Sequence, residues 1–134
     1  IAAASSTLGI PTYKLDVAVP LDAVAELLAI AHRAAADDEA RLIPFGHLAE
    51  GNLHLNFLGA TAPAVIAESV LTAVARLGGT ISAEHGIGVA KTQWLHLVRS
   101  RADLGAQGAL RRTLDPHRIL NPGVLDPSAP APDS

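Results

Sequence analysis

The chain has 134 residues, of which 49% are apolar and 17% charged; it is long enough to bury one core, too apolar to stay disordered, and short for a complete cofactor enzyme. A net charge of −3 gives no basic footprint for nucleic acid, and no apolar run approaches the roughly 18–20 residues of a membrane-spanning helix. Cysteine is absent, which excludes disulfides and thiolate chemistry and leaves nitrogen and oxygen as the only metal donors, while 3% aromatic content means a core built from Leu, Val, Ile and Ala.

Residues 1–12 lack periodicity and read as a lead-in, and their alanine-rich start has no basic flank of the signal-peptide kind. From 13 to 19, Tyr13, Leu15, Val17 and Val19 alternate with Lys14, Asp16 and Ala18, which predicts a strand with one buried face, ended by Pro20. Asp22 is placed to cap a helix to about residue 36, with Leu21, Val24, Leu27, Leu28 and Ala31 at helical spacing. Asp37-Asp38-Glu39 reads as a solvated turn rather than a carboxylate metal site.

Residues 41–48 and 52–58 then form two strands around a turn signal, Glu50-Gly51 or Gly51-Asn52, because Gly and Asn accept positive φ at low cost. A tight turn sets His47 opposite His54 on the face that also holds Phe45 and Asn56, with Leu48, Leu53 and Leu55 on the other. Opposed Cβ atoms lie about 4.5–5.5 Å apart, so two such imidazoles can share a metal ion.

Thr61 and Pro63 open a second helix through Leu77, with Val65, Val70, Val74 and Leu77 as its stripe, stopped by Gly78-Gly79. Thr80-Ile81-Ser82 is expected to close the sheet as a short last strand. Strand, helix, strand, strand, helix, strand is the ferredoxin-like order, an α+β antiparallel sheet with helices on one face and the histidine face uncovered.

Ser82-Ala83-Glu84-His85-Gly86-Ile87-Gly88 follows, leading into an expected helix through Val89, Lys91 and Trp94. Its glycines match neither phosphate-loop nor dinucleotide spacing. Glu84 added to His47 and His54 makes a His2Glu set, the composition of catalytic zinc sites that keep an open position. Glu84 and His85 are adjacent and point opposite ways, so they do different jobs. A helix over about 104–114 leads into a turn-rich segment through Asp115, Pro116 and Asn121, and residues 124–134 form a flexible Pro/Ser/Ala tail. His32, His96 and His117 have no partner pattern and read as structural or surface residues.

Gly46-His47-Leu48-x-x-Gly51-Asn52-Leu53-His54-Leu55-Asn56, Ser82-x-Glu84-His85-Gly86-Ile87-Gly88-x-x-Lys91, Leu114-Asp115-Pro116-x-x-Ile119-Leu120-Asn121-Pro122-Gly123 and the strand at 13–20 together resemble the C-terminal domain of FAD-linked 2-hydroxy-acid oxidoreductases. That family includes the flavin-carrying chain of glycolate oxidase, D-lactate dehydrogenase and D-2-hydroxyglutarate dehydrogenase. The resemblance covers most of residues 13–123 and implies that His47, His54 and Glu84 bind a divalent metal, zinc by expectation. It makes His85 the catalytic base, gives Lys14 and Asn56 contacts to the substrate's oxygens, and puts Asn121 in the segment that returns to the flavin. Ala49-Glu50, Ala83 and Val124 depart from the family's usual residues, and no arginine precedes Lys14.

On this reading residues 13–123 are the substrate- and metal-binding part of a larger cytoplasmic flavoenzyme, inactive alone, with an FAD-binding domain upstream and an electron acceptor that can lie at a membrane. Two alternatives stand beside it: a zinc-dependent hydrolase using the same His2Glu set, and a non-catalytic ferredoxin-like interaction module.

Overall fold

The computed structural model describes residues 9–121 and 124, in two compact units that divide between His85 and Gly86. In the first unit, strand β1 (Thr12–Ala18) leads into helix α1 (Val24–Asp37), strands β2 (Arg41–Phe45) and β3 (Asn52–Leu58), and helix α2 (Pro63–Arg76). The sheet order is β1-β3-β2, with β3 central and both pairings antiparallel. This is the α+β arrangement expected from the element order.

Period-2 alternation sorts the two faces. Leu15 and Val17 from β1 and Leu53, Leu55 and Phe57 from β3 are buried together with Val24, Leu27 and Ala31 of α1 and Ile66, Val70, Leu71 and Val74 of α2. Several helix positions on this face are alanine, which lets the two helices approach each other closely. Fully burying a side chain such as Leu55 or Phe57 contributes about 1.5–3 kcal/mol. The opposite face of β1 and β3 carries Lys14, Asp16, His54 and Asn56.

Several local expectations are corrected. Asp22 does not cap α1: the Pro20 carbonyl accepts the Ala23 amide at 2.9 Å, which winds Leu21–Ala23 into a 3-10 turn and leaves Asp22 inside it. Val65 is exposed, and the buried stripe of α2 runs instead through Ile66, Ala67, Val70, Leu71 and Val74. Asp38 is no idle member of a solvated turn. Its carboxylate accepts from the Thr61 hydroxyl at 2.7 Å, the Thr61 amide at 2.8 Å and the Ala62 amide at 2.9 Å, so it serves the N-terminus of α2 from a distant position in sequence. The Thr61 hydroxyl first, and then the Thr61 amide, hold the Asp38 carboxyl below its ordinary range.

The hairpin departs most. β2 ends at Phe45, a 3-10 turn occupies Leu48–Glu50, and Leu48 is exposed rather than in the core. Gly51 leaves this turn at φ 69°, and a Cβ there would lie 1.9 Å from the Val19 carbonyl oxygen, so only glycine fits. Because residues 46–51 are all taken up in the connection, the register moves by one pair. Phe45 stands opposite His54, and His47 lies in the turn. A shift of one pair on both strands preserves parity, which is why the predicted face of His54 and Asn56 holds although the predicted partner does not.

The closing strand is reduced to a single antiparallel bridge, Ala18 to Thr80. Ala18 already pairs with Asn52, so Thr80 sits on the outer edge of β1, the position a fourth ferredoxin-like strand would take. Beyond Ser82 the backbone leaves the ladder, because the amides of Glu84 and His85 are given to the Asp16 side chain instead of to β1.

In the second unit the expected helix after Gly88 is a 3-10 turn, Thr92–Leu97, and helix α3 spans Arg101–Leu114. α3 starts earlier than expected because Ser100 and Asp103 form a reciprocal capping box. Asp115 accepts the Ile119 and Leu120 amides at 3.0 Å each, and the Arg111 guanidinium donates to the carbonyls of Leu120, Asn121 and Val124. The expected tail at 124–134 lies outside the described residues apart from Val124, as do residues 1–8 of the lead-in.

Candidate metal and substrate site

His54 is the hub of a cluster on the polar face of the first unit. It projects from the middle of β3, is 17% exposed, and sits between two carboxylates: Nδ1 is 3.3 Å from Asp16 Oδ1 and Nε2 is 4.0 Å from Glu84 Oε1. His47 reaches the same Glu84 oxygen from the hairpin turn, with Nδ1 at 3.1 Å. Asn52 donates its side-chain amide to that oxygen as well.

One donor atom from each of His47, His54 and Glu84 falls within a 4.8 Å set, and a second set joins Asp16, His54 and His85. A tetrahedral cation with bonds of about 2.0–2.2 Å spaces its ligand atoms roughly 3.4 Å apart, so separations of 3.1 and 4.0 Å on Glu84 bracket what is required. Two imidazoles and a carboxylate suit a divalent cation of zinc type. The residues present therefore fit the group, with His47 brought in by the turn rather than by strand pairing.

His85 approaches from the other side. Its ring centroid is 5.7 Å from that of His54, and its amide, at 3.0 Å, shares Asp16 Oδ2 with the Glu84 amide at 2.8 Å. The expectation that Glu84 and His85 diverge agrees with their falling in different donor sets. Phe45 packs against the remaining edge of His54 at 5.1 Å between centroids.

Lys14 and Asn56 face each other across β1 and β3, one same-face step from the Asp16 and His54 pair. Lys14 is exposed, whereas Asn56 is only 4% exposed and its buried Nδ2 has no hydrogen-bond partner among the described residues. A buried amide donor is costly to leave unmade, so Nδ2 is suited to a ligand oxygen. Asn121 belongs to the second unit, at φ 45°, with its carbonyl held by Arg111 at 2.6 Å. His32, His96 and His117 are exposed and belong to neither donor set.

Sequence reasoning misses two members of the site, Asp16 and Asn52. Asp16 is legible along the chain only as a polar position on β1; an acidic residue on the same face as Lys14 is the available signal. Asn52 reads there as turn chemistry.

A family model described as "FAD linked oxidases, C-terminal domain" matches residues 1–125. Among curated relatives, the chain is 38% identical over 133 residues to a D-2-hydroxyglutarate dehydrogenase of Xanthomonas citri pv. viticola, covering 90% of this chain and 28% of that protein. It is 33% identical over 117 residues to the glycolate oxidase subunit GlcD of Bacillus subtilis, covering 82% and 25%. Similarity to a D-lactate dehydrogenase of Anaerostipes hadrus is 32% over 118 residues, again covering 82% and 25%. The chain thus spans about a quarter of the length of these relatives.

Proposed function

Since the chain belongs to the family of FAD linked oxidases, C-terminal domain, we propose that it is the substrate- and metal-binding part of a flavin-dependent dehydrogenase or oxidase of small D-2-hydroxy acids. The observation that carries this reading is the convergence of His47, His54 and Glu84 on one face of the sheet, with His85 beside them. The names of the relatives, which refer to 2-hydroxyglutarate, glycolate and lactate, supply the substrate class.

His47, His54 and Glu84 would hold a divalent cation, zinc by donor type, and sequence outside this chain would hold most of the FAD. When bound, the cation supplies Lewis acidity to the substrate's 2-hydroxyl and the flavin accepts the hydride from the α-carbon. His85 takes the hydroxyl proton as general base, which leaves the 2-oxo acid as product once the hydride has departed. Lys14 offers its ammonium to a substrate carboxylate, and Asn56 Nδ2 donates to a substrate oxygen. Asn121 is assigned to the flavin side. No helix among the described residues is long and apolar enough to cross a membrane, and a cytoplasmic setting with an external electron acceptor belongs to this proposal.

Metal analysis and zinc calorimetry on His47→Ala, His54→Ala and Glu84→Ala test the site, with at least roughly 100-fold weaker binding expected for each. Unchanged affinity on losing either histidine would overturn it. At the level of activity, the FAD-loaded protein that carries this chain is expected to bleach its flavin anaerobically with D-lactate, glycolate or D-2-hydroxyglutarate. Flavin that stays oxidised with all three, or ester or peptide cleavage without flavin, would refute the assignment.

A further inference from the structure

Asp16 has no part in the ligand set just proposed, yet it touches every arm of the site that does not come from the hairpin turn. It is 7% exposed, in the middle of β1, directly across from His54. Its Oδ2 accepts the backbone amides of Glu84 and His85 at 2.8 and 3.0 Å. Its Oδ1 lies 3.3 Å from His54 Nδ1, on the side of the ring away from Glu84.

A neutral imidazole carries one proton and one lone pair, and an ionised carboxylate can only accept. The nitrogen facing Asp16 is therefore the one that carries the hydrogen, and the lone pair is left on Nε2, the nitrogen turned toward Glu84. We propose that Asp16 is a positioning residue that locks His54 in its Nδ1–H tautomer and aims Nε2 at the cation position, while the same carboxylate fixes the backbone that presents Glu84 and His85. The inference rests on the metal reading above for its purpose but not for its geometry.

One carboxylate thereby sets the orientation of two groups drawn from distant parts of the chain, a histidine on β3 and a glutamate beyond α2. Carboxylates that orient a ligating histidine typically strengthen metal binding 10–100-fold. The rival use of the same atoms, with Asp16, His54 Nδ1 and His85 as ligands of a second cation, is incompatible with a hydrogen on Nδ1.

Asp16→Asn separates these roles. Its carbonyl can keep accepting the Glu84 and His85 amides, whereas its NH2 group, facing His54, donates to Nδ1 and moves the ring's hydrogen to Nε2. Two-bond ¹⁵N–¹H spectra of the histidine-labelled full chain, freed of metal by chelator and kept well above about pH 6.5, report the tautomer directly, with His54 assigned by its alanine variant. The expected result is Nδ1–H for His54 in the unmodified chain and Nε2–H in Asp16→Asn, together with a 10–100-fold loss of zinc affinity in the variant and one zinc per chain in the unmodified protein. A His54 that is Nε2–H in the unmodified chain overturns the proposal, and this holds even if the variant does not fold. So does an Asp16→Asn chain with unchanged tautomer and unchanged zinc affinity, which would reduce Asp16 to a loop tether. Two zinc ions per chain, one of them lost in the variant, would make Asp16 a ligand instead. A chain that binds no zinc at all overturns the metal reading itself, and the tautomer spectrum then still decides whether Asp16 orients His54.

Discussion

Phe45, not His47, stands directly across the β2–β3 ladder from His54, and the two rings meet at 5.1 Å between centroids with 40° between their planes. The aromatic edge closes one side of the imidazole while Asp16 and Glu84 address its nitrogens, so the ring is confined on three sides.

Phe45→Ala should therefore loosen His54 without unfolding the sheet. Phe45 is 46% exposed, so its loss is expected to cost less than about 1 kcal/mol in stability. Zinc affinity should fall roughly 2–10-fold, the equivalent of about 0.5–1.5 kcal/mol for an aromatic pair. Parallel thermal melts and zinc titrations separate the two effects, and affinity equal to the unmodified chain would show that the contact does nothing for the histidine.

Gly51→Ala should be disruptive out of proportion to its size. The added Cβ meets the Val19 carbonyl at 1.9 Å and the backbone is left-handed at φ 69°, so the hairpin turn must move away from β1. A loss of about 2 kcal/mol or more in urea unfolding is expected. Because Gly51 leads directly into β3 and the turn holds His47, zinc binding should weaken in the same variant.

Acid should act on α2 through Asp38. Its carboxyl sits below the ordinary value of 3.8 in the folded chain, the Thr61 hydroxyl being the main cause. A depressed folded-state value means that its stabilisation is complete above that ordinary value and is lost as the pH falls through the folded one. Asp38→Asn should lower the melting temperature at neutral pH and flatten its decline below about pH 4. A variant whose melting temperature falls with acid as steeply as the unmodified chain's would exclude this role.

Arg111 should hold the segment that contains Asn121. Its guanidinium reaches three carbonyls, from Leu120, Asn121 and Val124, and lysine has no fork with which to span them. In Arg111→Lys the Ile119 and Leu120 amides, which bond to Asp115, should exchange with solvent roughly 10–100-fold faster. Exchange at the original rate would mean that Asp115 alone orders the turn.

Much of the first unit can be read along the chain because its signals are local. Alternation at Tyr13, Leu15 and Val17 and at Leu53, Leu55 and Phe57 marks β1 and β3 and fixes which face each residue takes, since parity survives a shift of one pair. Helical spacing and Pro63 place α1 and α2 to within a few residues. The residue types at His47, His54, Glu84 and His85 also announce their chemistry without coordinates, because imidazoles and a carboxylate beside glycine-rich turns have few other uses in combination.

What local pattern could not supply is the pairing between segments far apart in sequence. The length of the connection at 46–51 depends on Gly51 fitting against Val19, a contact made only when β1 is in place, and that contact decides that His54 faces Phe45. Asp38 reaches Thr61, and Asp16 reaches His54, Glu84 and His85, across gaps that no periodicity spans. Sequence thus determined which elements form, which side of the sheet is polar and which donors are available. The fold alone decided that Asp16 lies behind His54, because an acidic residue in a strand acquires its partner from the neighbouring strand's register, and register is a property of the assembled sheet.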